Sequence, residues 1–374
     1  MKKLTDICSI QYGCPFDASL FSTSPEDGMP LIRIRDVKEG HTDTYYKGDY
    51  SEEFIIRKGD YLIGMDGEFN IEPWKSEDAL LNQRVCKIES KSVEVLIRYI
   101  YRFLKKELKR IEDDTPFVTV KHLSAKRLNQ VQLVVPPIAE QEKIVAELDC
   151  LSGIIEKKKQ QLKELDALAQ SVFYEMFGDP VENDKGWEVK TYGSEFQISS
   201  GGTPDTKNNL YWDNGDISWI GSNLCHDEII YKNDGKYITK DGFDNSSAKE
   251  YKSGYVLVAL VGATIGRTAL LRFNTTTNQN VAGINVPANE NFVSEFIFYH
   301  LQKLYELFMG IGNGKFKMAN LRFIRELPLI VPSLSLQQDF ASKIESIEKQ
   351  KELIAQSIKE TETLFNSRMD YYFN

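Results

Sequence analysis

The sequence is poor in the residues that mark secreted, metal-binding or membrane-spanning proteins. It has five cysteines, none in a CxxC pair, and this odd number fits reduced thiols better than a disulfide framework. The four histidines show no metal-ligand spacing with those cysteines. No apolar run reaches membrane length, and the Met1-Lys2-Lys3 start leads into no adequate apolar stretch. We therefore expect a soluble, cytoplasmic protein without a metal site.

An excess of positive charge is also missing. Lysine and arginine total 46 against 55 aspartate and glutamate residues, which gives a net charge of −9 at pH 7. This balance argues against a protein that coats nucleic acid through positive charge over its whole surface, although local basic surfaces are compatible with it. Hydrophobic residues make up 41% of the 374 residues, enough for two or three ordinary cores. We expect the chain to be folded throughout.

Catalytic motifs are incomplete wherever they are suggested. Residues 262–268 (GATIGRT) are one residue short of a phosphate loop, and Arg267 stands where that motif requires lysine. Asp205 and Glu250 are too far apart to make a convincing nuclease pattern. The Pro-Pro pair at 136–137 follows Val135 rather than Asn or Asp, so the tetrapeptide that orients a target amine in DNA methyltransferases is missing. The sequence predicts no catalytic residues and no cofactor.

The clearest positive signal is a long amphipathic helix over residues 138–177. Apolar residues recur at alternate spacings of four and three from Ile144 to Met176, and only Lys158 interrupts them. Gly178 marks the end of the helix. At 1.5 Å per residue such a helix is roughly 60 Å long, more than is needed to cover one face of a small domain. The pattern predicts a helix that packs along another helix.

The chain contains a second copy of this helix. Sliding the sequence by 196 residues lays residues 133–144 on residues 329–340, and the match continues without a gap to the end of the helix. The second seam has the same spacing and is interrupted by lysine at Lys351, while Ser335 with Gln338 predicts a capping box. Two amphipathic helices could resemble each other by chance, but the repeat continues upstream of them.

The segments before the two helices have the same plan. In residues 1–130, short β-rich runs are predicted at 29–37, 61–63 and 84–88, followed by one helix over 93–111 whose apolar residues recur at helical spacing while Arg98, Arg102 and four other basic residues crowd the remaining surface.

Residues 181–330 repeat these features in the same order. Residues 58–62 correspond to 253–257, Gly67 to Gly262, and the Asn-Gln pair at 82–83 to the pair at 278–279. An ordered set of matches over nearly the whole chain indicates duplication. The predicted order is globule, long helix, globule, long helix, with the two helices paired antiparallel.

This pattern closely resembles the specificity subunit of type I restriction-modification systems. The resemblance covers essentially the whole chain and implies an α+β fold with two pseudo-symmetric target-recognition domains, separated by two long helices that form an antiparallel coiled coil. The segments that lead into the two helices, residues 131–143 and 327–339, show the resemblance most specifically. Two pairs of motifs in the globules also show it: MDGEFN (65–70) before LLNQRV (80–85), and VGATIGRT (261–268) before TNQNV (277–281).

The resemblance implies a first recognition domain at 1–135, a central helix at 136–178, a second recognition domain at 179–331 and a final helix at 332–374. It implies a non-catalytic subunit in which each recognition domain binds one half of a bipartite sequence in double-stranded DNA. The paired helices would set the spacing between the half-sites and dock two methyltransferase subunits. The resemblance leaves open whether restriction subunits also bind. One departure, residues 336–338 (LQQ) against 140–142 (EQE), weakens the expectation of equal docking at the two helices.

Candidate DNA contacts are side chains that suit phosphates or base edges, since Arg favours guanine and Asn or Gln favours adenine. Positions shared by the two halves favour a structural or phosphate-binding role, because the same side chains cannot read two different half-sites. Base-reading candidates therefore lie where the halves differ, and a basic loop in each half suits phosphate. These candidates are Arg33, Arg35, Glu68, Asn70, Trp74, Arg84 and Lys121 in the first half and Asn223, Lys232, Lys236, Arg267, Asn280, Lys315 and Lys317 in the second.

Two other classes of protein fit the sequence. A coiled-coil adaptor without DNA specificity would show no salt-dependent affinity for DNA. A nuclease with an unrecognised site would cut DNA in the presence of magnesium. For any single candidate residue, a solvated charge or a buried aromatic side chain is an equally good explanation.

Overall fold

The computed structural model describes residues 1–116, 121–287, 291–311 and 318–374. The chain divides into two compact units, which are residues 1–159 with 356–374 and residues 160–355. Each long helix therefore contributes one part to each unit. Within the described ranges, no helix is both long enough and apolar enough to cross a membrane.

The first globule is built from short strands and short helices. Its strands are β1 (Lys2–Lys3), β2 (Cys8–Tyr12), β3 (Phe21–Ser22), β4 (Met29–Pro30), β5 (Tyr45–Tyr46), β6 (Ile55–Ile56), β7 (Tyr61–Gly64), β8 (Asn70–Pro73), β9 (Ala79–Leu80), β10 (Val85–Ser90) and β11 (Gln132–Leu133). Its α-helices are α1 (Leu4–Ile7), α2 (Ile34–Glu39), α3 (Ile97–Asp113) and α4 (Ala125–Asn129), and its one-turn 3-10 helices are Ala18–Leu20, Pro25–Asp27 and Glu52–Phe54.

The first long helix, α5 (Ile138–Phe177), leads into the second globule. The strands that follow are β12 (Glu188–Thr191), β13 (Gln197–Ser200), β14 (Ile217–Ile220), β15 (Glu228–Ile230), β16 (Tyr237–Ile238), β17 (Glu250–Tyr251), β18 (Val256–Ala259), β19 (Thr268–Leu271), β20 (Thr275–Thr277), β21 (Val281–Asn285) and β22 (Pro328–Val331). The helices are α6 (Tyr192–Glu195), α7 (Lys240–Asp244), α8 (Ser294–Lys303), α9 (Tyr305–Met309), α10 (Leu321–Glu326) and the second long helix α11 (Leu334–Phe373), with 3-10 turns at Asn209–Tyr211, Ser222–Leu224 and Gly262–Thr264.

The two globules share one sheet topology. The main sheet of the first has the order β2-β10-β7-β8, and that of the second has the order β13-β21-β18-β19, with β15 added at the edge. Each corresponding neighbour pair is antiparallel. Each globule also pairs an early strand with the strand before its long helix, β1 with β11 and β12 with β22. The predicted α+β duplication is confirmed.

The strand predicted over residues 29–37 is wrong in its second half. Only β4 forms, and the chain then turns into α2. The carboxylate of Asp36 accepts a hydrogen bond from the backbone N–H of Arg33 at 2.7 Å, which caps the helix. Gly40 ends it in the left-handed conformation, with φ of 81°. These local capping signals outweigh the β propensity of the isoleucines.

Helix α3 buries the apolar face that the sequence predicts, including Ile100, Leu104 and Leu108. One basic residue departs from the prediction, because Arg102 is buried rather than exposed. Its Nε donates to Asp149 Oδ1 of α5 at 3.0 Å, and its Nη2 donates to Ser152 at 2.7 Å. Arg102 therefore fastens α3 to the long helix through a buried ion pair.

Each unit has a large core of its own in which a long helix takes part. In the first unit, Ile144 and Leu148 of α5 pack with α3 and the main sheet. In the second unit, Phe173 and Phe177 of α5 pack against Phe340 of α11, with ring centroids 5.6 and 5.3 Å apart. Full burial of one such side chain stabilises a fold by about 1.5 to 3 kcal/mol. The helices are therefore structural parts of both cores.

The two long helices run antiparallel within each unit. In the first unit, Arg368 Nε donates to Glu147 Oε1 at 2.5 Å, and Lys158 Nζ donates to the hydroxyl of Ser357. The later residue of α5 thus meets the earlier residue of α11. In the second unit Lys351 Nζ lies 2.8 Å from Asp166 Oδ1. The two lysines that interrupt the apolar seams therefore have polar partners on the opposite helix, a device that fixes register in coiled coils.

The helix starts differ slightly from the prediction. The capping box predicted at Ser335 is wrong, because α11 begins one residue earlier, at Leu334. Ser333 takes the capping position, and its Oγ accepts from the backbone N–H of Leu336 at 3.4 Å. Gly178, predicted to end α5, has φ of 77° and donates its N–H to Tyr174 O at 2.8 Å.

A buried glutamine at the start of each long helix holds the globule to it. Gln141 accepts from Leu96 N–H at 2.9 Å and donates to the carbonyls of Glu94 and Pro136, both at 2.8 Å. Gln337 does the same in the second unit. Its partners are Val293 N–H at 3.1 Å and the carbonyls of Asn291 and Pro332 at 3.1 and 2.9 Å. Both side chains are fully buried.

Gln141→Leu should lower the free energy of unfolding of the first unit by at least about 3 kcal/mol, because three backbone groups lose their partner and each unsatisfied buried group costs about 1 to 3 kcal/mol. Glu142→Leu, at the exposed neighbouring position, is the matched control and should change stability little. Urea denaturation of the full chain measures both. Equal stability of the two variants would contradict this role of Gln141.

Candidate nucleic-acid interface

Three charged or ionisable side chains meet at one end of the main sheet of the first globule. Asp66 follows β7, Arg84 directly precedes β10, and His122 forms an antiparallel bridge with Asp66. His122 Nδ1 lies 2.5 Å from Asp66 Oδ1, and Arg84 Nη1 lies 3.2 Å from His122 Nε2. The side chains of Arg84 and His122 are 52% and 44% exposed. We name this group the first triad.

The hydrogen-bonding roles in the first triad are fixed by chemistry. A carboxylate only accepts and a guanidinium only donates. His122 therefore donates from Nδ1 to Asp66 and accepts at Nε2 from Arg84. Arg84 has φ of 71°, a left-handed conformation that costs a non-glycine residue about 1 to 3 kcal/mol. An exposed arginine that is held by a relay and sits on a strained backbone is typical of a functional position.

The second globule repeats these backbone contacts with other side chains, although Asn280, unlike Arg84, is not in the left-handed conformation. Val261 forms an antiparallel bridge with Met318, as Asp66 does with His122. Asn280 directly precedes β21, as Arg84 precedes β10. Met318 is 65% exposed. Val261, Asn280 and Met318 form what we name the second triad.

Backbone hydrogen bonds confirm that the two triads correspond. In each triad, the N–H of the residue before the first member donates to the carbonyl of the second member. These bonds are Met65 N to Arg84 O at 2.9 Å in the first triad and Leu260 N to Asn280 O at 2.8 Å in the second. A second bond joins the residue after the third member to the carbonyl of the residue before the first member. These bonds are Leu123 N to Met65 O at 2.7 Å in the first triad and Ala319 N to Leu260 O at 2.8 Å in the second. One backbone frame thus presents two different sets of side chains.

The glycines that follow the first member of each triad keep these ends open. Gly67 and Gly262 have φ of 73° and 76°, and a Cβ added at either would meet no other atom within 4 Å. The positive φ explains why glycine is present at both positions. The open space beside each turn leaves room for a ligand to approach the backbone closely.

Among the candidates of the first globule, Glu68 and Asn70 follow Asp66 of the first triad along the chain. Glu68, on the turn after Asp66, pairs with Lys38 of α2 at 3.1 Å. Arg33, the N-cap residue of α2, and Arg35, in its first turn, are exposed. Asn70 donates to Glu68 O at 2.9 Å, and its buried Oδ1 has no hydrogen-bond partner among the described residues.

Trp74 and Lys121 have their side chains engaged within the globule. Trp74 is only 2% exposed, packs in the core, and donates from Nε1 to Glu77 O at 2.6 Å. A side chain buried in this way stabilises the fold and is not available to a base. Lys121 Nζ donates to the carbonyl of Glu112, near the end of α3, at 2.5 Å. Its charge is directed to the end of that helix, where a cation is favourable.

In the second globule the candidates fall into separate groups. Arg267 Nη1 donates to Asp227 Oδ2 at 2.6 Å, and its guanidinium lies 4.4 Å from the centroid of the Tyr305 ring. The hydrogen bond to Asp227 holds the pKa of Arg267 above its ordinary value. Asn223 donates to Asp234 at 3.3 Å. Two lysines, Lys232 and Lys236, are exposed on the adjacent segment, and Lys315 and Lys317 lie outside the described residues.

A cleft of about 1770 Å³ in the second unit is not suited to DNA. Helices α5, α8 and α11 line it together with β15, and acidic side chains outnumber basic ones on its walls. Acidic side chains that have no ion pair with any described residue, such as Glu228, Glu345 and Glu352, would repel phosphates. Within the described ranges, no group of three or more His, Cys, Asp or Glu side chains is placed to hold a metal ion.

A family model matches nearly the whole chain. The model describes the type I restriction modification DNA specificity domain, and it matches twice, at residues 1–167 and 184–363. The chain belongs to this specificity family. The resemblance inferred from the repeated helices and motifs is confirmed, and the two matches coincide with the two copies of the fold.

Curated members of the specificity family match parts of the chain. The specificity subunit of the EcoBI enzyme of Escherichia coli is 43% identical over 162 residues, which is 43% of this chain and 34% of that protein. The MjaIX specificity subunit of Methanocaldococcus jannaschii is 28% identical over 51% of this chain and 44% of that protein. The chain thus spans less than half the length of these two relatives. The MjaVIII specificity subunit of the same organism is 22% identical over 86% of this chain and 80% of its own length.

Solved structures of the specificity family share the fold. The specificity subunit of M. genitalium matches with a TM-score of 0.57 and 11% identity over 100% of this chain and 95% of its own. A chain from a study of complex assembly in a type I system also has a TM-score of 0.57, with 16% identity over 100% of this chain and 97% of its own.

Sequence reasoning found two members of the triads and missed the rest. Arg84 and Asn280 were identified because they differ at corresponding positions. Asp66, His122 and Met318 were not, although the spacing of the repeat relates His122 to Met318. A comparison of the two halves that also includes positions with Asp, His or Met finds these residues.

Proposed function

We propose that the chain is the sequence-specific DNA-binding subunit of a type I restriction-modification complex. Recognition domains at 1–135 and 179–331 each bind one half of a bipartite target in double-stranded DNA. The paired helices set the distance between the half-sites and dock methyltransferase subunits. The chain itself has no catalytic activity, because the methyltransferase subunits supply it.

The observation that carries this proposal is the repeated frame with different side chains, of which Arg84, His122 and Met318 are exposed. A protein that reads two different half-sites with one duplicated fold needs the same backbone and different donors and acceptors at its surface. The triads have these properties, since their backbone bonds correspond and their side chains differ. A structural adaptor has no need for such divergence at exposed positions.

Docking of partner subunits is supported by the apolar surface of the long helices. Several large apolar side chains on these helices are exposed rather than packed in the seam, so they are available to pack against a partner. On α5 they are Ile154, Leu168 and Tyr174, and on α11 they are Leu353, Leu364 and Tyr371.

Replacing residues 1–135 by the corresponding domain of another family member should change one half of the methylated sequence and leave the other half and the spacing unchanged. The swapped chain is combined with methyltransferase subunits, and methylated sites are mapped across a genome. The reciprocal swap of residues 179–331 is the matched control and should change the other half. Swapped chains that altered both half-sites, or neither, would contradict separate recognition domains, and methylation by the chain without its partners would contradict the non-catalytic role.

A further inference from the structure

We infer that the two triads are the corresponding base-reading sites of the two globules: Arg84, held by His122 and Asp66, reads a guanine, and Asn280, beside Val261 and Met318, reads an adenine–thymine pair. This inference rests on the proposed function and deepens it. It assigns base-reading and positioning roles to particular residues, and it predicts which base each triad selects.

The case for guanine begins with the donors of Arg84. A guanidinium has five N–H donors in a rigid fork. One of them is given to His122 at 3.2 Å, and Nε lies 3.7 Å from Asp66. Within the described residues, the remaining donors have no hydrogen bond. A fork with a free edge matches the two acceptors of guanine, O6 and N7, in the major groove.

His122 and Asp66 are positioning residues in this site. A free arginine side chain loses several rotatable bonds on binding, and a hydrogen-bonded one has already lost them. The relay from Arg84 through His122 to Asp66 fixes the guanidinium before DNA arrives. The left-handed backbone at Arg84 adds to this, because it sets the direction in which the side chain leaves the sheet.

The second triad offers the chemistry of an adenine–thymine pair. Asn is the side chain that pairs with adenine N6 and N7, and an apolar group selects the thymine methyl. Asn280 takes the place of Arg84, and the exposed Met318 takes the place of His122. Val261 replaces Asp66, so this triad has no carboxylate to orient a cation. The two triads therefore select different bases from the same backbone positions.

The first test uses the full chain with its methyltransferase subunits and a randomised duplex library, sequenced after binding. The wild-type complex should enrich a bipartite sequence. Arg84→Ala should reduce the preference for guanine at one base pair of one half-site by about 5- to 150-fold and leave the other positions unchanged. Arg110→Ala is the matched control, because Arg110 is an exposed arginine of the same globule that pairs with Glu107 on α3. It should leave all preferences unchanged.

The positioning role of His122 has its own pair of variants. A glutamine amide can accept from Arg84 and donate to Asp66, so His122→Gln should keep the guanine preference. His122→Leu cannot form the relay and should weaken that preference at the same base pair, by less than Arg84→Ala does. A structural role alone would reduce binding to every sequence equally.

The second test transfers the first triad into the second globule. The triple variant Val261→Asp, Asn280→Arg, Met318→His should acquire a guanine preference of fivefold or more at one position of the second half-site. Asn280→Arg alone is a milder variant that keeps the apolar neighbours, and it should weaken the adenine preference at that position even if the triple variant does not fold.

The outcomes separate the two levels of the proposal. A wild-type complex that enriches no sequence overturns the proposed function, and the inference falls with it. A wild-type complex that enriches a bipartite sequence, together with an Arg84→Ala variant of unchanged preference, overturns the inference alone. A changed preference at one position in each half-site, in the variants of that half only, supports both.

Discussion

Removing one heptad from both long helices should shorten the DNA spacer that the complex recognises by about three base pairs and abolish methylation at the original spacing. Seven residues of helix are about 10.5 Å long, and base pairs are about 3.4 Å apart. The deletion takes residues 159–165 from α5 and 352–358 from α11. Since seven residues complete two turns of a coiled coil, the apolar seams stay in phase after the deletion.

The polar contacts on either side of the deletion should preserve the pairing of the helices. The Glu147–Arg368 and Asp166–Lys351 contacts keep both partners, and Lys158 keeps Thr361. Removing five residues from each helix is the matched control, because five residues make about 1.4 turns and the deletion rotates one part of each seam by roughly 140° from the other, which should destabilise the protein. Methylated sites are mapped for each variant. A folded heptad variant that kept the original spacer would show that the helices do not set the spacing.

Mild acid should destabilise the second unit through His300, with a large effect for a single side chain. His300 is fully buried; its Nε2 accepts from the N–H of Ile330 at 3.4 Å, and its Nδ1 lies 2.8 Å from the hydroxyl of Tyr192. Since Nε2 accepts, Nδ1 carries the proton and the ring is neutral. Burial lowers the pKa of His300 to about 3.

The sign of the effect follows from where the proton binds. Between pH 6.5 and 3 the unfolded chain binds a proton at this residue and the folded chain does not, so stability falls as the pH falls. The slope from this residue is about 1.4 kcal/mol per pH unit, and above pH 6.5 the histidine contributes no pH dependence.

Denaturation curves of His300→Gln should therefore depend less on pH than those of the wild type. Trp187, Trp212 and Trp219 report on this unit by fluorescence, and curves are recorded from pH 7 to pH 4. Between pH 6.5 and 5 the wild type should lose about 2 kcal/mol more than the variant. His226→Gln, at an exposed position, is the matched control and should follow the wild type. Parallel curves for wild type and His300→Gln would contradict this role of His300.

The helical part of the fold could be predicted because its signals are local. Every residue of the predicted seams, from Ile144 to Met176 in α5 and from Phe340 to Tyr372 in α11, is buried or half-buried. The period of an amphipathic helix can be counted along the sequence without knowledge of its partner. The antiparallel pairing was also predicted, because the chain contains two helices with an apolar seam and each can pack against the other.

The remaining structure depends on contacts that no local pattern contains. Arg102 looks like a surface arginine of α3, and only Asp149, in another helix, explains its burial. Asp66 and His122 are 56 residues apart and meet because the chain forms a bridge between them. Trp74 had the chemistry of a base-stacking residue, but its packing against the core could not be derived from composition. Side chains that act through distant neighbours are therefore the ones that sequence reasoning missed.

The buried glutamines have a consequence for how such proteins diverge. Gln141 and Gln337 bind only peptide N–H and C=O groups, two from the loop that each one holds and one from the segment before its own helix. Every sequence that keeps the loop conformation offers these groups, so mutations that alter side chains in a globule leave the glutamine satisfied. The Arg102–Asp149 ion pair differs, because each partner requires the other to be inherited with it. Natural selection can thus change exposed side chains of either globule without compensating change at its glutamine, whereas the side-chain pairs Arg102–Asp149 and Gln170–Gln302 must each keep both partners.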